Sequence, residues 1–185
     1  MAGPFVVSRN GAVIGAPPQQ VFDYLADMTR HGEWDPLDGF RVTAQPQGQP
    51  GVGSIFSRER TGESQGPLAI RPGPGPASSV TVTLITAITV YQPHDALTFE
   101  TRASYNGLLY SVERTSFELQ PSQEGAWVTK ASEVEIMVPS VFIGPVYAIR
   151  MVRAAFARMV GRTSPGPHLS RVKEMMETGK ITRRI

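Results

Sequence analysis

Hydrophobic positions change their period twice along the chain, dividing it into a mixed N-terminal zone, a long alternating zone and a helical C-terminal zone. Residues 5–14 are apolar and rich in β-branched side chains, which predicts a first strand. Asn10-Gly11 within it predicts a bulge or a very short hairpin. Pro17 and Pro18 then open a helix over 19–28, since proline fits a helix only in its first turn. Val21, Phe22, Leu25 and Met28 repeat at i, i+1, i+4, i+7 and line one face of that helix. A second short helix or turn covers 29–35 and ends at Pro36.

From Phe40 the pattern alternates. Strands are predicted over 40–45 and 53–61, and residues 62–79 hold too many glycines and prolines for anything but a loop. Residues 80–91 set Val80, Val82 and Leu84 against Thr81 and Thr83, a strong strand signal. Strands 96–104 and 108–119 are joined through Tyr105-Asn106-Gly107, and Asn-Gly supplies the two positive φ angles of a primed hairpin turn. A turn over 121–125 leads into the last strand, 126–138.

The period then becomes helical. Phe142, Ile149, Val152, Phe156, Met159 and Val160 fall within one sector of about 100°. Arg150, Arg158 and Arg162 project elsewhere, with Arg153 at the edge. Ser164-Pro165-Gly166-Pro167 breaks this helix, and 168–178 resumes it with Leu169, Val172 and Met176 as apolar positions. No internal repeat or second domain is visible. The order predicts a single α+β domain over 1–185, with about seven antiparallel strands, two short helices after the first strand and a long C-terminal helix.

Composition mostly excludes. At 185 residues, 41% hydrophobic and 18% charged, the chain is of single-domain size and of neither disordered nor membrane-bundle composition. A net charge of +2 is too small to imply nucleic acid as a partner of the whole chain. With no cysteine there are no disulfides, thiolate nucleophiles or cysteine-held metals. His31, His94 and His168 are far apart and form no ligand pair, so neither metal nor cofactor is expected. No apolar run reaches the ~18 residues of a membrane span, and the N-terminus lacks the basic-then-apolar pattern of a signal peptide, so a soluble, cytoplasmic protein is expected. Charge is uneven: residues 150–185 carry nine Arg or Lys and two Glu. That basic segment is either the solvated back of a core helix or a weak contact site for an anionic membrane or a protein. Gly62-Glu63-Ser64-Gln65-Gly66 matches G-x-S-x-G, but Pro67 and a Pro-Gly loop follow where a nucleophile elbow needs a helix, so the match is fortuitous.

One stretch is more distinctive. Ile14-Gly15-Ala16-Pro17-Pro18-Gln19-Gln20-Val21-Phe22-Asp23-Tyr24-Leu25-Ala26-Asp27, continuing to Glu33-Trp34-Asp35-Pro36, resembles the strand end, helix start and Trp-x-Pro closure of the START-like (SRPBCC, helix-grip) superfamily, in its polyketide cyclase/dehydrase-like branch. Phe117-Glu118-Leu119-Gln120-Pro121 with Gly125-Ala126-Trp127-Val128-Thr129 resembles that family's last hairpin, and residues 169–177 its closing helix. The long 62–79 loop and the Pro-Gly-Pro break depart from its pattern. The resemblance implies a curved antiparallel sheet wrapped around the long C-terminal helix, with a ligand cavity between them. It further implies binding or transport of a hydrophobic small molecule, lipid- or polyketide-like. The alternatives are a polyketide cyclase, aromatase or dehydratase acting in the same cavity, or a membrane- or protein-interaction module using the basic C-terminal helix.

Within that expectation, Trp34 is either at the cavity edge or a packing anchor that closes the second helix. Arg58 and Arg60 share a strand face with Phe56. If it looks inward, the guanidiniums meet a carboxylate, phosphate or enolate oxygen; if outward, Ile55 is the buried residue. Glu113 alternates with Leu109, Thr115, Phe117 and Leu119. It is either a general acid or base in the interior or an ion-pair partner of Arg58, Arg102 or Arg114. Tyr105 and Tyr110 lie on the same hairpin. Lys130 and Ser132 share the parity of Val128, Val134 and Ile136 and invite the same question. The expected catalytic pair is Glu113 as acid/base and Arg58 as oxyanion partner. The expected ligand contacts are Trp34, Phe56, Arg60, Leu84, Phe99, Tyr110, Thr115, Phe117, Ile149 and Phe156.

Overall fold

The computed structural model describes residues 5–34, 40–44, 47–63, 79–136 and 168–179. Its elements are β1 (Phe5–Ile14), α1 (Pro18–Ala26), a 3-10 turn (Met28–Arg30), α2 (His31–Trp34), β2 (Arg41–Ala44), β3 (Ile55–Glu63), β4 (Ser79–Gln92), β5 (Ala96–Tyr105), β6 (Leu108–Ser122), β7 (Gly125–Ile136) and α3 (His168–Thr178). The strands form one antiparallel sheet in the order β1-β7-β6-β5-β4-β3-β2. Each sequential pair from β2 to β7 is a neighbour, and β1 returns to the far edge beside β7. The expected helix over 142–163 and the basic segment up to 167 lie outside the described residues.

α1 begins with Pro17 at its cap and Pro18 at its first position, where a missing N–H costs nothing. It buries Val21, Phe22, Leu25 and Ala26 against β5, β6 and β7. It stops at Ala26 because Asp27 turns the chain. The Asp27 Oδ1 accepts hydrogen bonds from the Thr29 backbone N–H at 3.0 Å and the Thr29 hydroxyl at 2.6 Å, which caps the 3-10 turn. The Tyr24 hydroxyl donates to Glu33 Oε2 at 3.0 Å, and Arg30 closes a bidentate pair with the same carboxylate while lying 4.4 Å above the Tyr24 ring. These contacts lock α1 to α2. Burial first, then the hydrogen bond and the negative charge of Glu33, drive the Tyr24 hydroxyl far above the usual tyrosine range against the opposing pull of Arg30.

Turn chemistry fixes the hairpins. Asn106 and Gly107 have φ of 48° and 79°, the primed turn that Asn-Gly favours, and the Asn106 side chain also accepts from the Thr81 N–H at 2.8 Å. At the β6–β7 turn Gly125 has φ of 135°, and a Cβ there would collide with the Ile14 carbonyl and lie 2.8 Å from the Ala16 nitrogen. Three bulges bend the long strands: the register shifts between Val6 and Ser8, between Ile88 and Val90, and between Ala103 and Ser104.

Two expectations need correction. Asn10-Gly11 is neither bulge nor hairpin, because Asn10 and Gly11 pair without interruption with Lys130 and Thr129. The Trp127 ring crosses Gly11, 2.7 Å from where a Cβ would stand, so any larger residue there must displace that ring. The loop is also shorter than 62–79: Gly62 pairs with Val80 and Glu63 with Ser79, so the ladder absorbs the first breakers.

Candidate functional site

The sheet places its side chains in rows about 7 Å apart on its inner face. Arg58, Leu84, Ala103 and Ser111 form one row across β3 to β6. Phe56, Thr86, Thr101, Glu113 and Val134 form the next. Ile88, Phe99, Thr115 and Ser132 form a third, and Tyr91, Leu97, Phe117, Lys130 and Asn10 a fourth. A polar band of Thr86, Thr101, Glu113, Thr115 and Ser132 therefore crosses the two middle rows, with Arg58 and Lys130 in the rows on either side.

Parity at β3 decides which way Arg58 points. Ile55 is 48% exposed, whereas Phe56 is buried and Arg58 only 5% exposed, so the Phe56/Arg58 face is the inner one. The Arg58 guanidinium carbon sits 5.3 Å from the Phe56 ring centroid. Arg60 has the same parity but is exposed, and does not join the buried set. Glu113 is half-buried, one row from Arg58 and three strands away. The Thr115 hydroxyl donates to Glu113 Oε1 at 3.3 Å and lies 3.2 Å from the Ser132 hydroxyl. Thr86 and Thr101 share a hydrogen bond of 3.0 Å in the adjoining row.

Nearer α1 the face is aromatic. His31, buried, meets Trp34 at 4.5 Å and Phe99 at 4.6 Å between ring centroids, both edge to face. Trp34 meets Phe117 at 5.9 Å, and Phe117 meets Phe99 at 6.1 Å. Trp34 is itself 3% exposed and belongs to this cluster. Of the expected ligand contacts, Trp34, Phe56, Phe99 and Phe117 thus come together as buried rings, with Thr115 and Leu84 half-buried on the same face. The Tyr110 backbone occupies the extra position where the β5–β6 register shifts, and its side chain lies outside the described residues. Ile149 and Phe156 also lie outside them.

Lys130 is 3% exposed and Ser132 is equally buried, so the parity question raised at β7 resolves inward. His31, Thr86 and Thr101 carry no sequence signal of their own. A single histidine in a short helix and threonines in alternating strands look like any others; the β4–β5 register sets the two threonines side by side, and the rings of Trp34, Phe56 and Phe99 surround the histidine. Among the described residues no cluster of His, Cys, Asp or Glu is suited to a metal ion. Also among them, no helix is long and apolar enough to cross a membrane.

On the outer face Glu100 meets Arg102 at 3.0 Å and Arg114 at 3.2 Å. Burial opposes ionisation of the Glu100 carboxyl, but the two guanidinium hydrogen bonds together outweigh it and hold the group below its usual range. Arg102 and Arg114 flank Glu100, so neither is the inner-face counterion first considered for Glu113.

An α+β domain with a curved antiparallel sheet and helices gathered on one side of it is a helix-grip protein. The family model described as polyketide cyclase/dehydrase and lipid transport matches residues 6–164, and the chain belongs to that family. No curated protein sequence matches it significantly. Among solved structures, the Polyketide_cyc-like protein Cgl2372 from Corynebacterium glutamicum is similar at 18% identity and a TM-score of 0.54, covering 96% of this chain and 95% of that one. Protein CV1439 from Chromobacterium violaceum is similar at 18% identity and a TM-score of 0.51, covering 92% and 96%. The di-domain ARO/CYC protein StfQ of the steffimycin biosynthetic pathway is similar at 14% identity and a TM-score of 0.56; the match covers 93% of this chain and 51% of StfQ.

Proposed function

We propose that this protein binds a hydrophobic small molecule against the inner sheet face. The observation that carries the reading is the burial of Arg58, Lys130 and Ser132 beside an aromatic cluster, on the face that the curved sheet turns inward. Lysine and arginine are almost never buried to this degree unless their charges are paired, because desolvating a charge costs several kcal/mol, so this wall sets charge-bearing groups beside its rings. A family whose fold encloses ligands gives these groups a use: the aromatic rows hold an apolar body and the polar band orients its oxygens. Native mass spectrometry of freshly purified protein, with fatty acids, a sterol and an aromatic polyketide offered in turn, tests the reading. A copurified or added ligand at one-to-one stoichiometry is expected; absence of any adduct counts against it.

A second reading, catalysis in the same cavity, draws support from Glu113 and Arg58 occupying adjacent rows of one face. Glu113 would move a proton and Arg58 would hold the developing oxyanion of a poly-β-carbonyl chain, with orientation supplying much of the rate. The likeness to StfQ extends to the fold alone. Cyclisation or dehydration of a poly-β-carbonyl substrate should fall sharply in Glu113→Gln and Arg58→Met; turnover surviving both changes together refutes this assignment.

A further inference from the structure

The hydrogen-bond chain on the inner face has a direction. A hydroxyl carries one proton, and Thr115 gives its proton to Glu113 Oε1 at 3.3 Å. The 3.2 Å contact between Thr115 and Ser132 is then filled by the proton of Ser132. The chain runs Ser132 to Thr115 to Glu113, across β7 and β6, and the Ser132 oxygen keeps only lone pairs for any further partner. Ser132 lies within the buried set, in the same row as Phe99 and one row from Phe117. A flat apolar body seated on those rings would bring its edge to that oxygen.

We infer that Ser132, Thr115 and Glu113 form a polarised relay that makes this wall an acceptor, so that the site selects ligands presenting a hydroxyl, phenolic or enolic, over ligands presenting only an ether or ketone oxygen. Thr115 is the positioning residue. It touches no ligand in this scheme but commits the Ser132 proton and thereby sets what Ser132 offers. The inference rests on the inner face being the ligand site.

The probes are β-naphthol and its methyl ether, bodies of nearly the same shape that differ in having or lacking a donor. Wild-type protein is expected to bind naphthol about threefold to tenfold more tightly than the ether, the net worth of one hydrogen bond. In Thr115→Val the Ser132 proton is released and can serve the ether, so the preference should shrink towards one, mainly through tighter ether binding. Thr115→Ser should restore it. Ser132→Ala removes the acceptor and should also abolish the preference, by weakening naphthol, which gives a second route should the valine variant fold poorly. A merely structural role for Thr115 would weaken both probes together and leave the ratio unchanged, and that result overturns the relay. Equal wild-type affinity for the two probes overturns the relay while leaving the ligand site intact. Failure of both probes to bind overturns the ligand site and the relay with it.

Discussion

Replacing Phe117 by alanine separates a filled core from a lined cavity. The Phe117 ring is fully buried, flanked in register by Leu97 and Lys130, and packed edge to face on Trp34 and Phe99 at 5.9 and 6.1 Å. Removing a buried phenylalanine from close-packed surroundings costs about 3–5 kcal/mol, part of it the cavity left behind. Two edge-to-face contacts contribute roughly 0.5–1.5 kcal/mol each within that figure. For a chain of 185 residues, at about 2–4 °C of melting temperature per kcal/mol, Phe117→Ala should melt some 6–20 °C lower. Urea unfolding of ligand-free protein, followed by Trp34 and Trp127 fluorescence, gives the free energy directly. The same variant should bind a bulkier aromatic ligand better than the wild type, because the vacated volume opens on the polar band. A loss below about 1 kcal/mol, with no change in ligand size preference, would refute the packing described here, because it would mean that the ring touches little.

Gly125→Ala should cost more than an ordinary surface change, about 2–4 kcal/mol, because it combines a φ of 135° with a collision against the Ile14 backbone, which has no side-chain freedom to yield; a melting curve like that of the wild type would contradict it. Glu100→Gln should lose up to about 1 kcal/mol at neutral pH. Since the folded-state pKa of Glu100 is lowered, its contribution is present above the ordinary glutamate range and disappears as the pH falls through the folded-state value. The stability difference from wild type should therefore vanish in acid, and a difference that persists there would rule out the linkage. Asp27→Ala, which removes both capping bonds to Thr29, should cost about 1 kcal/mol and raise amide exchange at Thr29 and Arg30; unchanged exchange at those amides would contradict the cap.

Most of the frame was legible because local chemistry dictates it. Pro17-Pro18 admits only a helix start, Asn106-Gly107 only a primed turn, and the alternation of Val80, Val82 and Leu84 only a strand. What depended on partners distant in sequence was not legible. The parity of Arg58 could be read either way until β4 fixed its register, and one bulge reverses such a reading. Gly11 looks like a turn residue until Trp127, 116 positions later, is seen lying across it. The polar band has the same origin. Thr86, Thr101, Thr115 and Ser132 are unremarkable within their own strands and become a site only when three ladders align them with Glu113. His31 gives no signal at all, since its burial is created by Phe56 and Phe99 arriving from other strands.

The central claim, that the inner face is where a ligand sits, is tested most directly by NMR chemical-shift mapping of labelled protein titrated with the tightest-binding aromatic ligand of the panel. The account predicts saturable shifts at Phe56, Thr86, Phe99, Thr115, Phe117 and Ser132, with Glu100 and Trp127 on the outer face unmoved. Shifts confined to the outer face, or none at any ligand concentration, would contradict it.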